Sequence, residues 1–552
     1  MNMRTWFRTG TPWIWLNAAS VSISLILVFG LLAFIAVRGL AYFWPKDVVQ
    51  AQYTERNGEV IRLIGEIHES EEVSANRVRD SGYEVVIDDT LYTRLLVKTG
   101  NRDSFGADFR VILARDLKQQ EYPATLMTME RREWGNFYGY LKSVEENGQT
   151  IATGEAARDE FETRLARALE LYEQIHAIEK GEIGEINYAM EHLRLKERSL
   201  ALKGDKNPLK LADIVEQRDE LDRRYAALQG QLNMLYTEAK RDSITTEISN
   251  GQQVIIPLAQ VVRVYYPNAM NTLDKLGMYF SKLWEFVSDD PREANTEGGI
   301  FPAIFGTVMM VILMAIIVTP FGVIAAVYLH EYAKQGAVTR IIRIAVNNLA
   351  GVPSIVYGVF GLGFFVYFLG GNIDALFFPE ASPSPTFGTP GLLWSSLTLA
   401  LLTLPVVIVA TEEGLSRVPR SLREGSLSLG ATKLETIWRI ILPTASPAMM
   451  TGLILAIARA AGEVAPLMLV GVVKLAPSLP LDGNAPFLHL ERKFMHLGFH
   501  IFDVGFQSPN VEAARPLVYA TAFLLVLVIV VLNLVAIHIR NRLRERYRAL
   551  ES

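Results

Sequence analysis

Two charged side chains interrupt an otherwise apolar stretch. Arg459 and Glu463 fall inside Thr444–Val473, a run long enough to cross a bilayer as a helix. Each charge near the bilayer centre costs roughly 2.5–3.5 kcal/mol on insertion scales. Four residues apart, the two share one helix face and partly offset each other. A guanidinium offers a planar fork that can grip two oxygens of an oxyanion at once. The chemistry open to Arg459 is therefore anion binding along a path, with Glu463 holding it and being exchanged for the anion. The competing role is a structural ion pair that locks the helix. Arg459 stays open between the two, and Glu463 reads first as structural. Gly462 and Pro466 would let the helix kink. Gly351, Pro353, Ser354 and Gly358 allow close helix contact or an opened turn lining the path. Close packing is the plainer role for these glycines.

A second polar set lies between two apolar runs, at 412–443. Ser416-Arg417-Val418-Pro419 opens a helix with proline in its first turn. That helix passes Leu422 and Leu427 and stops at Gly430. Thr432-Lys433-Leu434-Glu435 has capping-box spacing and starts another helix, which Leu442-Pro443 ends. The stretch thus predicts two short amphipathic helices about a glycine hinge. Leu422, Leu427 and Leu429 could fill a partner's groove while Arg420, Arg423 and Glu424 pair around its rim.

Other chemistry is set aside on residue grounds. His489, Glu491, His496 and His500 invite a metal reading, with His496 and His500 at helical spacing. No closing carboxylate stands at a fixed interval, so Pro486–Phe506 reads as an interfacial amphipathic helix and not a metal site. There is no G-x-x-x-x-G-K-S/T loop for ATP, no Ser/His/Asp arrangement and no basic-aromatic surface for nucleic acid. The chain has no cysteine, which excludes disulfides, thiol catalysis and thiolate metal sites. The expectation is a chain that is not an enzyme and holds no cofactor or metal itself.

The elements that must position these residues are membrane spans. Half of the 552 residues are hydrophobic and the mean hydropathy is +0.20, too apolar for an ordinary soluble protein. Six runs can each cross a bilayer: Thr9–Val37, Ile300–Leu329, Ile344–Ile373, Gly391–Thr411, Thr444–Val473 and Pro516–Ile537. The first lacks a small-x-small cleavage site and reads as an uncleaved span, with Trp6, Trp13 and Trp15 at one interface and Tyr42 and Trp44 at the other. Basic residues mark the loops: Arg4 and Arg8; Lys334, Arg340 and Arg343; Arg417, Arg420, Arg423, Lys433 and Arg439; then Arg540, Arg542, Arg544, Arg546 and Arg548. All fall on one side if the chain alternates, and that side is the cytoplasm. Both termini are then cytoplasmic.

The large segment between the first two runs, 41–299, lies outside and is domain-sized. Tyr83–Ile87, Leu91–Val97, Phe109–Leu113 and Gln253–Val264 read as strands. Stretches at about 155–200 and 209–242 read as an antiparallel helical hairpin with coiled-coil spacing, turning at Lys203–Pro208. Its role is either a spacer or a docking arm for a partner or a second copy. The expected architecture is an α-helical polytopic membrane protein with an inserted α+β outer domain. Its parts are an N-terminal anchor at 1–40, the outer domain at 41–299, a six-span body completed by 300–540 and a basic tail at 541–552.

Family resemblance enters at the polar loop. Glu424-Gly425-Ser426, Gly430, Ile440 and Leu442-Pro443 resemble the cytoplasmic signature of ATP-binding-cassette (ABC) import permeases. That family usually carries two alanines after the Glu. Gly425 and Ser426 keep the small size but weaken the local helix. Asn347–Gly358 and Ile457–Leu467 are similar to the PstA family of phosphate-transport permeases, over about Gly299 to the C-terminus. Residues 41–299 look like the extension of long-form members, whose role the resemblance does not supply. The resemblance implies the type I importer permease fold in a bacterial inner membrane, with 41–299 periplasmic. It implies phosphate as the cargo; the path candidates, from the physical argument above, are Arg459, Glu463, Gly462 and Ser354. It implies coupling through Arg423, Glu424, Gly425, Ser426, Leu427, Gly430, Leu442 and Pro443. The implied partners are a PstC-like permease subunit, two copies of a PstB-like ATPase carrying ATP-Mg and a PstS-like periplasmic phosphate-binding protein, with a regulatory system of the PhoU/PhoR type. Two other readings fit the residues. One is a permease for molybdate, sulfate or phosphonate, because Arg binds any tetrahedral oxyanion. The other is a membrane-anchored sensor or scaffold, which would need neither an ATPase nor Arg459.

Overall fold

The computed structural model describes residues 9–55, 57–80, 91–508 and 511–547. The strand expected at Tyr83–Ile87, together with Arg4, Trp6, Arg8 and Arg548, lies outside the described residues. The chain forms two compact units. One takes the segments up to Tyr42, Val287–Asp290 and from Ile300 onward; the other takes Phe43–Phe286 and Pro291–Gly299.

Among the described residues the first unit has six helices long and apolar enough to cross a membrane: Thr11–Ala41, Phe301–Tyr332, Ser354–Phe377, Leu392–Ser416, Lys433–Gly462 and Ala514–Glu545. They are called spans one to six below. Three boundaries depart from the hydropathy reading. Span three starts at Ser354, not Ile344. Ala337–Leu349 is a separate amphipathic helix, and Pro353 stands in extended geometry just before Ser354. The proline disfavours helical backbone at Val352 and breaks the run. Span five starts at Lys433, so Leu442-Pro443 does not end a helix. The chain passes through π-type turns at Ile437–Ile441 and continues helical from Leu442. There the Leu442 N–H donates to the Ile437 carbonyl, one residue further back than in an α-helix, and the helix runs on through Pro443, which has no N–H to donate. The same span ends at Gly462, well short of Val473.

Span four is the most enclosed helix. Its Leu399 and Val407 meet Met310, Met314 and Val318 of span two and Ala456 and Ala460 of span five. Small residues set the spacing. A methyl on Gly322 would come within 2.6 Å of Val407, and one on Gly452 within 2.5 Å of Ala410. In lipid, where tails are as apolar as side chains, such close backbone approach drives helix association. Span one touches the bundle near its end, where Gly39 backs onto Ala520. Its remaining apolar surface is exposed, as a lipid-facing helix requires.

The second unit is built on two antiparallel sheets. The first has β1 Val48–Thr54, β2 Val60–Ser74, β3 Leu91–Lys98, β4 Phe109–Leu113 and β5 Leu117–Glu121, in the order β4-β3-β2-β1-β5. The second has β6 Met127–Arg131, β7 Phe137–Glu146, β8 Gln149–Thr153, β9 Asp242–Glu247, β10 Gln253–Pro257 and β11 Val261–Tyr265. Its order is β10-β9-β7-β6-β11, with β8 also on β7. The single strand expected at Gln253–Val264 is therefore two strands on opposite edges. Pro257, which cannot donate to a ladder, closes β10, and Leu258–Gln260 turns the chain. A helical stretch from Ala156 to Leu202 returns along Pro208–Ala239. Its base plugs the sheet core through Phe161, Leu165 and Ala168 against Met127, Phe137 and Ile244. Further out, Leu171, Ile175 and Ile186 meet Leu228 and Leu232. Asn207 accepts from the Leu209 N–H and caps the returning helix.

Candidate translocation and coupling site

Arg459 and Glu463 are not in mid-helix. Arg459 occupies the last turn of span five, and Glu463 is the residue after its end, with extended backbone at φ −79°, ψ 133°. Pro466 two positions beyond Val464 disfavours helix before it, so Gly462 and Pro466 end the span instead of kinking it. Arg459 Nε stands 3.6 Å from Glu463 Oε1, with both side chains partly exposed. This is an ion pair looser than a hydrogen bond. A helix C-terminus carries partial negative charge, so the last turn is a favourable place for a guanidinium. The charge cost is lower here than at the middle of a buried span.

Beyond Gly462 the chain stays largely irregular until Leu497 and packs into the bundle. It caps span four: the Gly391, Leu392 and Leu393 N–H groups donate to the Val470, Arg492 and Leu490 carbonyls at 2.9 Å each. Three orphan donors of a buried helix start are satisfied in this way. Span three comes against the same segment. A methyl on Gly358 would meet Pro466 Cα at 2.7 Å, so Gly358 is there for close packing. Ser354, half-buried, is the first residue of that span. Tyr357 donates from its hydroxyl to the Leu349 carbonyl at 2.6 Å, tying span three to the preceding amphipathic helix. The two stretches Asn347–Gly358 and Ile457–Leu467 thus meet in space at Gly358 and Pro466. Gly351 and Gly462 have no such demand, since added methyl groups meet nothing closer than ordinary contact.

The polar loop folds as one short helix and the start of a long one. Arg420–Ser428 is helical, with Pro419 as its N-cap and not in its first turn. Gly430 takes φ +87°. Its N–H donates to Leu427 and that of Ala431 to Ser426, the paired bonds of a Schellman ending. Thr432 and Glu435 form the expected capping box, but the helix it opens is span five itself. Arg423 turns inward. It donates to the Leu415 carbonyl at 2.7 Å and pairs with Glu331 at 3.1 Å, so it does not sit on a rim with Glu424, which is exposed. Leu422 also turns inward, onto the cluster of Leu329, Leu415, Val418 and Ile437. Leu427 faces water, and Leu429 is 91% exposed. Ser426 is buried, its hydroxyl 2.9 Å from that of Thr436. Leu442 and Pro443 are half-buried in the body of span five.

Sequence reasoning missed three contributors. Leu434 and Trp438 extend the exposed apolar face of Leu427 and Leu429, with Trp438 72% exposed. Their i,i+4 spacing was the available signal. Glu331, at the end of span two, had no local signal. It receives Arg423, stands 3.0 Å from His330 Nδ1, and its carbonyl receives Lys433.

The histidine segment is not an amphipathic interfacial helix. Only Leu497–Phe502, extended by π-type turns to Gln507, is helical there, and His489, His496 and His500 are all buried. His489 lies between Asp482 at 2.9 Å and Glu491 at 3.2 Å. Burial would raise the Asp482 carboxyl, but the Asn484 N–H, Arg492 and His489 more than offset it and hold it at about 2. His496 Nδ1 accepts from the Gly498 N–H at 3.1 Å, and burial pushes this imidazole down to about 4. Among the described residues no three His, Asp or Glu side chains come together as metal ligands.

A family described as "Binding-protein-dependent transport system inner membrane component" matches residues 318–548. The Phosphate transport system permease protein PstA 1 of Mycobacterium tuberculosis is 36% identical over 247 residues, 44% of this chain and 71% of that one. The probable ABC transporter permease protein YqgI of Bacillus subtilis is 30% identical over 46% of this chain and 81% of its own length. YqgH of the same organism is 32% identical over 35% of this chain and 59% of its own length. Among solved structures, the inward-facing MetNI methionine ABC transporter aligns over 44% of this chain and 94% of that one, at 17% identity and a TM-score of 0.32. The chain belongs to the binding-protein-dependent transport-system permeases, multi-pass membrane subunits of ABC transporters, and within them to the PstA type.

Proposed function

We propose that this chain is the permease subunit of an ATP-driven inorganic phosphate importer. The observation that carries the reading is Arg459 at the broken end of span five, beside the glycine-packed start of span three, in a PstA-type chain. A partly exposed guanidinium with only a loose carboxylate partner can exchange that carboxylate for an oxyanion. Glu463 then acts as the resident counter-ion. The path is completed by a second, PstC-like permease subunit. A PstS-like binding protein delivers phosphate on the periplasmic side, where residues 41–299 lie. Two PstB-like ATPases bind ATP-Mg in the cytoplasm, so this chain performs no hydrolysis. They receive the helix Arg420–Ser428 through Leu427, Leu429, Leu434 and Trp438. The membrane is the bacterial inner membrane, with the basic loops inside.

The test is phosphate uptake by cells lacking their own permease and supplied with this one. A charge-assisted hydrogen bond contributes about 1.5–3 kcal/mol, so Arg459→Ala is expected to lower uptake roughly ten- to hundredfold. Glu424→Lys, on the exposed face of the loop helix, is expected to weaken ATPase recruitment while leaving phosphate binding intact. Normal uptake by both variants overturns the reading. Transport of molybdate in place of phosphate would reassign the cargo.

A further inference from the structure

The helix Thr272–Ser288 is turned inside out for a domain in water. Its Lys275, Lys282 and Glu285 side chains point into the domain, and most of its large apolar ones point away. Lys282 pairs with Glu130 at 2.7 Å, and Glu285 takes Arg263 at 2.9 Å and Arg292 at 2.7 Å. Lys275 pairs with Asp47, and Phe286 is buried against Phe43 with ring centroids 5.0 Å apart. On the opposite face Leu273 is 78% exposed, Phe280 63% and Trp284 72%, with Leu276 beside them. These four fall at intervals of three and four residues and form one stripe. The buried ion pairs fix the rotation of the helix, so the stripe cannot turn inward to escape water.

What meets the stripe is set by where the chain must be. Span one ends at Ala41. Trp44 follows three residues later, at most about 10 Å along an extended chain. Trp44 rests against Tyr279 of this helix, centroids 6.1 Å apart. A stripe of Leu, Phe and Trp held this close to a span end, with aromatic rings beside it, has the composition of a membrane–water interface.

The geometry points to an interfacial anchor: Thr272–Ser288 lies along the outer leaflet with Leu273, Leu276, Phe280 and Trp284 in the headgroup–acyl boundary. The partner is lipid. An apolar face of this kind sits about 5–10 Å into that boundary.

The absence of cysteine from the chain makes the test clean. Single cysteines replace Phe280, Trp284 and, as a water-exposed reference, Met234. Each full-length variant is nitroxide-labelled in lipid vesicles, and its accessibility to oxygen is compared with that to a water-soluble nickel chelate. All three positions are exposed, so the substitutions leave the packing alone. The expected result is an oxygen-to-nickel ratio several-fold higher at 280 and 284 than at 234. Equal ratios at all three positions overturn the proposal. So does protection at 280 and 284 that appears only when other transporter subunits are added, because the face would then meet protein and not lipid.

Discussion

Gly425 within the loop helix and Gly430 just past its end stand five positions apart and make opposite demands. At φ +87° Gly430 is in the left-handed region, where a side chain costs roughly 1–2 kcal/mol. Gly425 is helical and an added methyl would meet nothing, so Ala there favours the helix by up to about 1 kcal/mol. Gly430→Ala is expected to speed amide exchange across 420–431 and lower uptake. Gly425→Ala is expected to slow exchange and leave uptake intact. Exchange mass spectrometry of the full transporter checks both, and the reverse order would refute the assignment. Gly430 was legible in the sequence because a helix stop has a residue signature. Ser426 was not. It reads as a small filler, yet its hydroxyl meets Thr436 across the turn, a tertiary contact that no local spacing announces. Arg459 and Glu463 were legible as a pair, but their place at a helix end depended on Pro466 outweighing a run of apolar residues.

At the scale of elements, three cations converge on the end of span two. Arg343 reaches the Leu329 carbonyl at 3.2 Å, Arg423 the Glu331 carboxylate, and Lys433 the Glu331 carbonyl. Cations are favoured at a helix C-terminus. Here they come from three other helical elements: the amphipathic helix, the loop helix and span five. Under the proposed coupling, these contacts would pass movement of Arg420–Ser428 to span two as well as to span five. Glu331→Gln is expected to leave ATP hydrolysis running while uptake falls. Adding Arg423→Gln should cost little more, with an interaction energy of roughly 0.5–3 kcal/mol in the double-mutant cycle. A Glu331→Arg, Arg423→Glu swap that restores some uptake would separate the pairing from a general loss of folding. Strictly additive losses would sink the idea. The six spans were legible from hydropathy, but this junction was not. Helices continue through polar residues as long as the backbone ladder holds, so Lys433 starts a span that hydropathy begins at Thr444.

At the scale of the whole chain, the second unit carries an arm whose length exceeds what its core needs. The helical pair is anchored at its base by Phe161, fully buried among sheet residues. Phe161→Ala should therefore cost roughly 3–5 kcal/mol. Further along, the exposed faces grow and only scattered residues such as Leu193 and Ile214 remain buried. The hydrogen bonds Tyr236–Glu179 and Arg218–Glu197 set the register of the two helices. By that register Met190 and Tyr225 stand at one level. Replacing 191–224 with a short Gly/Ser linker removes about 20 Å of arm at 1.5 Å per residue. It keeps Leu171, Ile175, Ile186, Leu228 and Leu232 together. The shortened protein is expected to keep a protease-resistant second unit and normal membrane levels, because no sheet contact is lost and no cavity opens. Collapse of the unit would show instead that the arm is part of its core. With folding retained, uptake becomes a direct reading of the arm. Unchanged uptake makes it a spacer, and lost uptake makes its outer end a contact surface.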